Sequence, residues 1–189
     1  MNFLAHLWLA DKTKTSLAGA ILGDIARGAD LSAYPDEIAR GIRLHRKIDA
    51  ATDRHPLSVA ARERFGPGRR RYAGIVMDLV CDHILANDWN RYSDEALSDF
   101  CLRASVEVEQ AAPWFVHAGG RAIESQGFSR LLISYAGSAG IEYAINRTAN
   151  RMRDPQPLMD AAVGWQVVAE EFKASLPELL GDLKRIEIA

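Results

Sequence analysis

The segment LHRKIDAATD, residues 44–53, carries an imidazole and two carboxylates at intervals of four residues: His45, Asp49 and Asp53. In an α-helix, positions i, i+4 and i+8 lie within roughly 80° of one another, so these side chains can face the same space. Two carboxylates at this spacing repel each other, and the dipole near a helix C-terminus also disfavours anions. We therefore expect a metal ion or an arginine to compensate their charge.

Each of these three residues also has a purely structural interpretation. Asp53, together with Thr52, could cap the helix that follows. Asp49 could form an ion pair with Arg46, and His45 could be a half-buried, hydrogen-bonded imidazole. The spacing alone leaves these alternatives open.

A second segment, GIVMDLVCDHIL at residues 74–85, is apolar around most of its helical circumference and is predicted to be buried. It nevertheless carries Asp78 and Asp82 on one face. Buried carboxylates need a cationic partner or a metal, because desolvation of an ion costs several kcal/mol. The segment has no Lys or Arg, so the partner must come from a metal or from an arginine elsewhere in the chain. His83 follows directly, rotated about 100° from Asp82, and could face another wall.

Two further candidates precede these segments. Asp24, in SLAGAILGDIARG, lies at helical spacing from Ile21 on the apolar side, and its structural alternative is a pair with Arg27. His6, in FLAHLWLA, is polar within an apolar run, where a core histidine with satisfied hydrogen bonds is the alternative. Mixed imidazole and carboxylate ligands suit Mn²⁺, Fe²⁺ or Mg²⁺ better than a structural zinc. Such a metal can polarise a phosphoryl oxygen and lower the pKa of a bound water.

The elements that would position these residues are helices. No stretch alternates like a strand, and no hairpin signal is present. We predict a single all-α domain over residues 1–189, with helices packed around one core. The predicted helices span about residues 16–27, 35–51, 56–65, 70–92, 94–111, 129–151 and 157–184.

Composition limits the function classes only weakly. The 189 residues are 48% hydrophobic and 25% charged, with a net charge of −2, which is ordinary for a soluble globular protein. The two cysteines have neither metal-site nor disulfide-framework spacing, and the N-terminal segment has no basic region of the export type. We therefore expect a cytoplasmic protein that binds neither membrane nor nucleic acid.

Charge is uneven along the chain despite the small net value. Residues 40–71, called the basic segment below, carry ten Arg or Lys against three carboxylates. A basic segment beside an acidic pocket would suit a phosphate-bearing substrate on an acidic partner. The alternative is a solvated helix face followed by a basic loop.

Four motifs together, NFLAHLWLA, SLAGAILGDIARG, GIRLHRKIDAATD and MDLVCDHILANDW, resemble the acyl carrier protein phosphodiesterase family in order and spacing. The resemblance begins at Asn2 and is strongest through Trp89; beyond that point the chain is similar only in length and helical character. It implies an all-helical, HD-domain-like phosphohydrolase that depends on a divalent metal, with Mn²⁺ favoured and Mg²⁺ or Fe²⁺ as alternatives. The HD signature runs His then Asp, whereas here Asp82 precedes His83.

The reaction implied by the resemblance is hydrolysis of the phosphodiester between 4'-phosphopantetheine and a serine of holo-acyl carrier protein, the protein substrate. The oligomeric state does not follow from the sequence. The expected roles in this chain fall into four groups. Metal ligands are His6, Asp24, His45, Asp78 and Asp82; catalytic residues are Asp49, Asp53 and His83, with His83 or a protonated Asp49 as proton donor; phosphate is bound by Arg27, Arg46 and Arg54; and the carrier docks on Arg62, Arg64 and Arg69–Arg71.

Two other functions fit part of this pattern. An HD-type metal-dependent phosphohydrolase acting on an alarmone-like nucleotide would use the same metal ligands and the same basic segment. A non-enzymatic helical metal-binding or carrier-binding protein is the second alternative, although the paired Glu-x-x-His motifs of di-iron bundles are missing.

Overall fold

The computed structural model describes residues 1–66 and 68–187, which form helices without a strand. The predicted all-α fold is confirmed, and the buried apolar side chains form one continuous core. A short 3₁₀ helix, Trp89–Arg91, follows α5. The α-helices are α1 (Phe3–Lys12), α2 (Leu17–Leu22), α3 (Asp36–Arg54), α4 (Pro56–Glu63), α5 (Arg70–Asn87), α6 (Leu97–Gln110), α7 (Ala112–His117), α8 (Ser125–Ser134), α9 (Ser138–Ala149), α10 (Gln156–Ala162), α11 (Trp165–Phe172) and α12 (Leu176–Lys184).

Helix α1 is the central helix of the fold. Its residues from Leu4 to Ala10 are all buried, and it is packed against α2, α3, α5 and α12. No helix was predicted here from the sequence, because a segment that is buried on every side has no polar face to reveal the helical period. His6 belongs to this buried stretch, so α1 carries an imidazole directly into the core.

Helices α2 and α3 touch through their backbones. A Cβ atom on Gly19 would lie 2.5 Å from the carbonyl oxygen of Ile38 and 2.8 Å from the Cα atom of Gly41. Since no real side chain tolerates such distances, glycine is required on both sides of this crossing. The close approach brings the C-terminal end of α2 against the middle of α3, where His45 lies.

Several predicted helices are shorter than expected or divided. The helix predicted over 129–151 is two helices, α8 and α9, and the one predicted over 157–184 is three. Gly164, with φ of 78°, lies between α10 and α11 and interrupts the helical path. Helix α2 ends at Leu22 rather than near residue 27, and α7 lies in a segment for which no helix was predicted.

The large aromatic residues of the C-terminal half mostly belong to the core. Phe115, Tyr135 and Trp165 are buried, as are both free cysteines, Cys81 and Cys101. Among the described residues, no helix is both long enough and apolar enough to cross a membrane.

Candidate metal centre

Two stacked histidines form the base of a cluster between α1, α3 and the turn after α2. The rings of His6 and His45 lie 3.9 Å apart between centroids, at 17°. Asp49 lies against both, with Oδ1 3.0 Å from Nε2 of His6 and Oδ2 3.1 Å from Nε2 of His45. Asp24 adds Oδ1 at 3.3 Å from the same His45 nitrogen. The rings are buried while the Asp49 and Asp24 side chains are 40% and 53% exposed, so the cluster opens towards solvent on its carboxylate side.

The backbone of α2 fixes the orientation of His45. Nδ1 lies 2.6 Å from the carbonyl oxygen of Ala20, and because a carbonyl can only accept, Nδ1 donates this hydrogen bond. Nε2 is thereby directed at Asp24 and Asp49. A hydrogen bond from one ring nitrogen to a backbone carbonyl is the usual way in which metal-binding histidines are held.

Gly23 leaves the space that the His45 ring occupies. A Cβ atom at position 23 would lie 2.2 to 2.5 Å from three atoms of the His45 side chain. Gly23 is not among the site residues predicted from the sequence. The signal available was the pair of glycines four residues apart in GAILG, which places Gly19 and Gly23 on one face of α2.

Asp78 is brought to the cluster through the α-ammonium group of Met1. This group lies 3.2 Å from Oδ1 of Asp49 and 3.1 Å from Oδ1 of Asp78. Burial disfavours the ammonium charge, but the charges of Asp78 and Asp49 outweigh it and raise the pKa of the group to about 11. Carboxylates from α3 and α5 thus face one cation here.

The two imidazoles differ in their preference for a proton. Burial lowers the pKa of His6 to about 4, despite its hydrogen bond with Asp49. Burial acts in the same direction on His45, but hydrogen bonds and charge from Asp24 and Asp49 prevail and raise its pKa to about 9. For Asp49, burial is outweighed by hydrogen bonds with His45 and His6, and the pKa of its carboxyl lies well below the usual range. The cluster therefore favours positive charge next to ionised carboxylates.

The donor set fits a divalent metal. His6, His45 and Asp49 can each offer a ligand atom, and these atoms lie within 4.8 Å of one another. Nε2 is the ring nitrogen of His6 that faces the cluster, 3.0 Å from Oδ1 of Asp49, whereas Nδ1 is buried without a hydrogen-bond partner among the described residues. Mn²⁺ or Fe²⁺ binds neutral imidazoles and ionised carboxylates, so His6 and Asp49 are ready to bind, and a metal would displace the proton that the raised pKa of His45 keeps on its Nε2.

Asp82 is not brought to this cluster. Its side chain is fully buried, and its two oxygens accept the backbone N–H groups of Leu4, at 2.8 Å, and Ala5, at 3.0 Å. These N–H groups belong to the first turn of α1, which lacks intrahelical partners for them. Asp82 therefore anchors the helix that carries His6. Its burial, opposed by these two hydrogen bonds, raises its pKa to about 7.

We expect Asp82→Ala to lower the free energy of unfolding by about 2–4 kcal/mol at pH 5, because two buried N–H groups lose their acceptors. The folded-state pKa of Asp82 exceeds its usual value of 3.8, so the folded protein holds the proton more tightly. The stability from this group is therefore present in full at low pH and is lost as pH rises to about 7. The difference in unfolding free energy between wild type and Asp82→Ala should therefore narrow as the pH rises from 5 to about 7.

Urea unfolding at several pH values between 5 and 8 measures this difference. Asp94→Ala, at an exposed aspartate, is the matched control and should change the unfolding free energy by less than about 0.5 kcal/mol. Equal stability of Asp82→Ala and Asp94→Ala would contradict the anchoring role of Asp82.

Two of the predicted catalytic residues, Asp53 and His83, form no hydrogen bond with the cluster among the described residues. Asp53 is 73% exposed and pairs with Arg62 at 2.8 Å. It does not cap α4, because Nδ1 of His55 accepts the N–H of Leu57 instead. His83 donates from Nδ1 to the carbonyl oxygen of Tyr135 at 2.7 Å and lines a different cavity, of about 290 Å³.

The predicted phosphate-binding arginines also differ in position. Arg46 donates to the carbonyl oxygens of Ala26 and Gly28, both at 2.7 Å, and so holds the loop that follows Asp24. Arg27 and Arg54 are exposed and make no ion pair among the described residues. In the basic segment, Arg62 pairs with Asp53 and Arg64 lies 3.8 Å from Glu171, whereas Arg69–Arg71 are exposed.

The structure is that of an all-helical protein in which two buried imidazoles meet partly exposed carboxylates. The family model described as acyl carrier protein phosphodiesterase matches residues 1–183, and the chain belongs to this family. It is similar to proteins named acyl carrier protein phosphodiesterase from Enterobacter sp. (42% identity, 92% of this chain and 89% of the relative) and Salmonella paratyphi A (36%, 98% of each). A third, from Escherichia coli O6:K15:H31, is 35% identical over 85% of this chain and 82% of the relative. No solved structure matches the chain, so the relation to HD domains stays a prediction.

Proposed function

We propose that this protein hydrolyses the phosphodiester that joins 4'-phosphopantetheine to the serine of holo-acyl carrier protein. Water adds across the serine–phosphate bond, giving apo-carrier with a free serine hydroxyl, and phosphopantetheine. The observation that carries the proposal is the convergence of His6, His45 and Asp49 within 4.8 Å, in a chain of this family. A divalent metal, Mn²⁺ before Mg²⁺ or Fe²⁺, is the proposed cofactor.

His6, His45 and Asp49 would hold this metal, with Asp24 and Asp78 beside them. When bound, it would supply Lewis acidity at a phosphoryl oxygen and a lowered pKa of water. Asp24 and Asp49 attract the cation, and the Ala20 carbonyl keeps Nε2 of His45 directed at it. The half-exposed carboxylate side is where a phosphodiester on a large protein can enter.

The roles of the other sequence candidates are revised in this proposal. Asp49 is ionised, since its pKa lies well below the usual range, and it therefore acts as a ligand rather than as a proton donor. Asp82 accepts backbone hydrogen bonds from the first turn of α1, and Arg46 donates to the loop after Asp24, so both residues have positioning roles. His83 faces the carbonyl of Tyr135 and receives no catalytic role.

The test is a mass measurement on the carrier. Purified protein is freed of metal with a chelator, and holo-acyl carrier protein is added with Mn²⁺, with Mg²⁺ or with neither. We expect the carrier to lose the mass of phosphopantetheine with Mn²⁺, and the chelated protein to lose at least about a hundredfold in rate. Restored activity on adding Mn²⁺ back excludes damage by the chelator.

A carrier that stays intact with Mn²⁺, while circular dichroism shows folded protein, would refute the substrate assignment. Alarmone-like nucleotides are incubated with the protein under the same conditions. Hydrolysis of a nucleotide, with the carrier left intact, would show that the nucleotide is the substrate of this centre. If the carrier is cleaved at an undiminished rate in chelator, with a metal content below the enzyme concentration, the metal assignment is refuted and the substrate assignment stands.

A further inference from the structure

A large groove lies between α8, α9 and the loop before α8, with a volume of about 980 Å³. Most of its lining is apolar, and Phe3, Ile123, Phe128 and Leu131 contribute to it. The size is at the upper end of the range of about 300–1,000 Å³ that is usual for small-molecule sites. Apart from Phe3, the lining comes from the C-terminal half of the chain, for which the sequence predicted no role.

The groove and the candidate metal centre share the first turns of α1. Phe3, in its lining, lies in the first turn of α1, three residues before His6. It is also two residues from Met1, whose α-ammonium contacts Asp49 and Asp78. The Phe3 ring meets Phe128 edge-on at 5.6 Å between centroids, so the start of α1 packs against α8 in the groove lining.

Arginines surround this apolar lining. Four of them, all exposed, line the groove: Arg121, Arg130, Arg147 and Arg151. Glu124 is the single carboxylate in the lining, and none of the four arginines forms an ion pair within residues 1–66 and 68–187. These four arginines, called the arginine rim below, give the groove a positive charge that attracts an anionic partner and steers its approach. The ligand chemistry that fits is an apolar chain attached to an anionic group.

We infer that the groove binds the acyl chain of an acylated carrier protein, while the arginine rim meets the acidic surface of the carrier. This inference rests on the proposed function, since the carrier is the only source of such a chain at this centre. It assigns the docking surface to α8 and α9 rather than to the basic segment, where Arg62 and Arg64 already have carboxylate partners. The acyl chain is attached to the thiol end of phosphopantetheine, so this arm would leave the phosphodiester at the metal centre and carry the chain past Phe3 into the groove.

The test compares two substrates, holo-carrier and carrier bearing a long saturated acyl chain. Ala139 is exposed in the groove lining, so Ala139→Trp fills the groove without touching the metal centre. We expect this variant to lower kcat/KM for the acylated carrier by about tenfold or more, and for holo-carrier by less than about threefold. Ala174→Trp, the same change at an exposed alanine outside the groove, should leave both values unchanged.

The arginine rim is tested separately. Arg147→Glu should raise KM for both substrates by about tenfold and weaken the dependence of KM on salt, while kcat changes little. Arg153→Glu, at an exposed arginine outside the groove, is the control.

Equal effects of Ala139→Trp on both substrates, or no effect on either, would overturn the assignment of the groove.

Failure of the proposed function is distinguishable from failure of this inference. If the wild-type protein cleaves neither carrier, binding of the fluorescently labelled acylated carrier decides the role of the groove. A Kd that Ala139→Trp weakens about tenfold relative to Ala174→Trp, with holo-carrier unaffected, supports the groove. An unchanged Kd overturns it.

Discussion

Asp49→Asn is expected to lower kcat/KM by about a thousandfold or more, because the variant would remove several kcal/mol of interaction with the proposed divalent metal. The Asp49 carboxylate contacts Nε2 of His6 at 3.0 Å, Nε2 of His45 at 3.1 Å and the ammonium group of Met1 at 3.2 Å. Asparagine has no negative charge, and its amide nitrogen cannot accept from an imidazole or bind a metal as a carboxylate does. Its size is nearly the same, so the packing of α3 should persist.

The matched control lies one helical turn further along the same face of α3. Asp53→Asn is the identical chemical change at a side chain that is 73% exposed and paired with Arg62. Surface ion pairs contribute about 0–1 kcal/mol, so stability should hardly change and kcat/KM should fall less than about threefold. Kinetics with the carrier at saturating Mn²⁺, Mn²⁺ affinity by calorimetry and thermal unfolding separate loss of the centre from loss of the fold. Equal losses in both variants would refute the central role of Asp49.

The helical content of the chain could be predicted because most helices show one apolar face. Helix α3 was predicted over 35–51 and spans Asp36–Arg54, with Pro35 directly before it. Helix α1 was missed because its buried residues surround the helix and leave no polar face. The breaks within the two long C-terminal predictions depend on turns such as that at Gly164, which apolar spacing does not reveal.

The candidate centre was predictable only as a set of residue types. The interval of four residues placed His45 and Asp49 on one face of α3, and the structure places their reactive atoms 3.1 Å apart. The same reasoning could not separate Asp78 from Asp82, because both lie on one face of α5 and only their neighbours differ. Asp82 faces the first turn of α1 and Asp78 faces the ammonium group of Met1. Which neighbour a buried carboxylate meets is decided by tertiary packing.

The second large effect is expected from a single added methyl group, in Gly23→Ala. The Cβ atom would lie 2.2 Å from Cγ of His45, well inside van der Waals contact, so the ring must move. The backbone at position 23 is in the right-handed helical region, with φ of −53° and ψ of −32°, and alanine adopts it without strain. The effect is therefore purely steric. Displacing Nε2 of His45 from Asp24 and Asp49 by about 1 Å should reduce kcat/KM about a hundredfold and weaken Mn²⁺ binding.

The control is Gly181→Ala, since a Cβ atom there meets nothing within 4 Å. Gly181 lies within α12, where alanine is favoured over glycine by about 0.5–1 kcal/mol, so this variant should be slightly more stable and fully active. Gly23→Ala should instead lose about 1–3 kcal/mol of unfolding free energy through overpacking, an amount that leaves a typical domain folded. A folded Gly23→Ala protein with wild-type kcat/KM and Mn²⁺ affinity would mean that the position of the His45 ring does not matter, and the metal centre would have to be sought elsewhere. A folded variant that has lost both would show that the contact between α2 and α3 sets the geometry of the reaction.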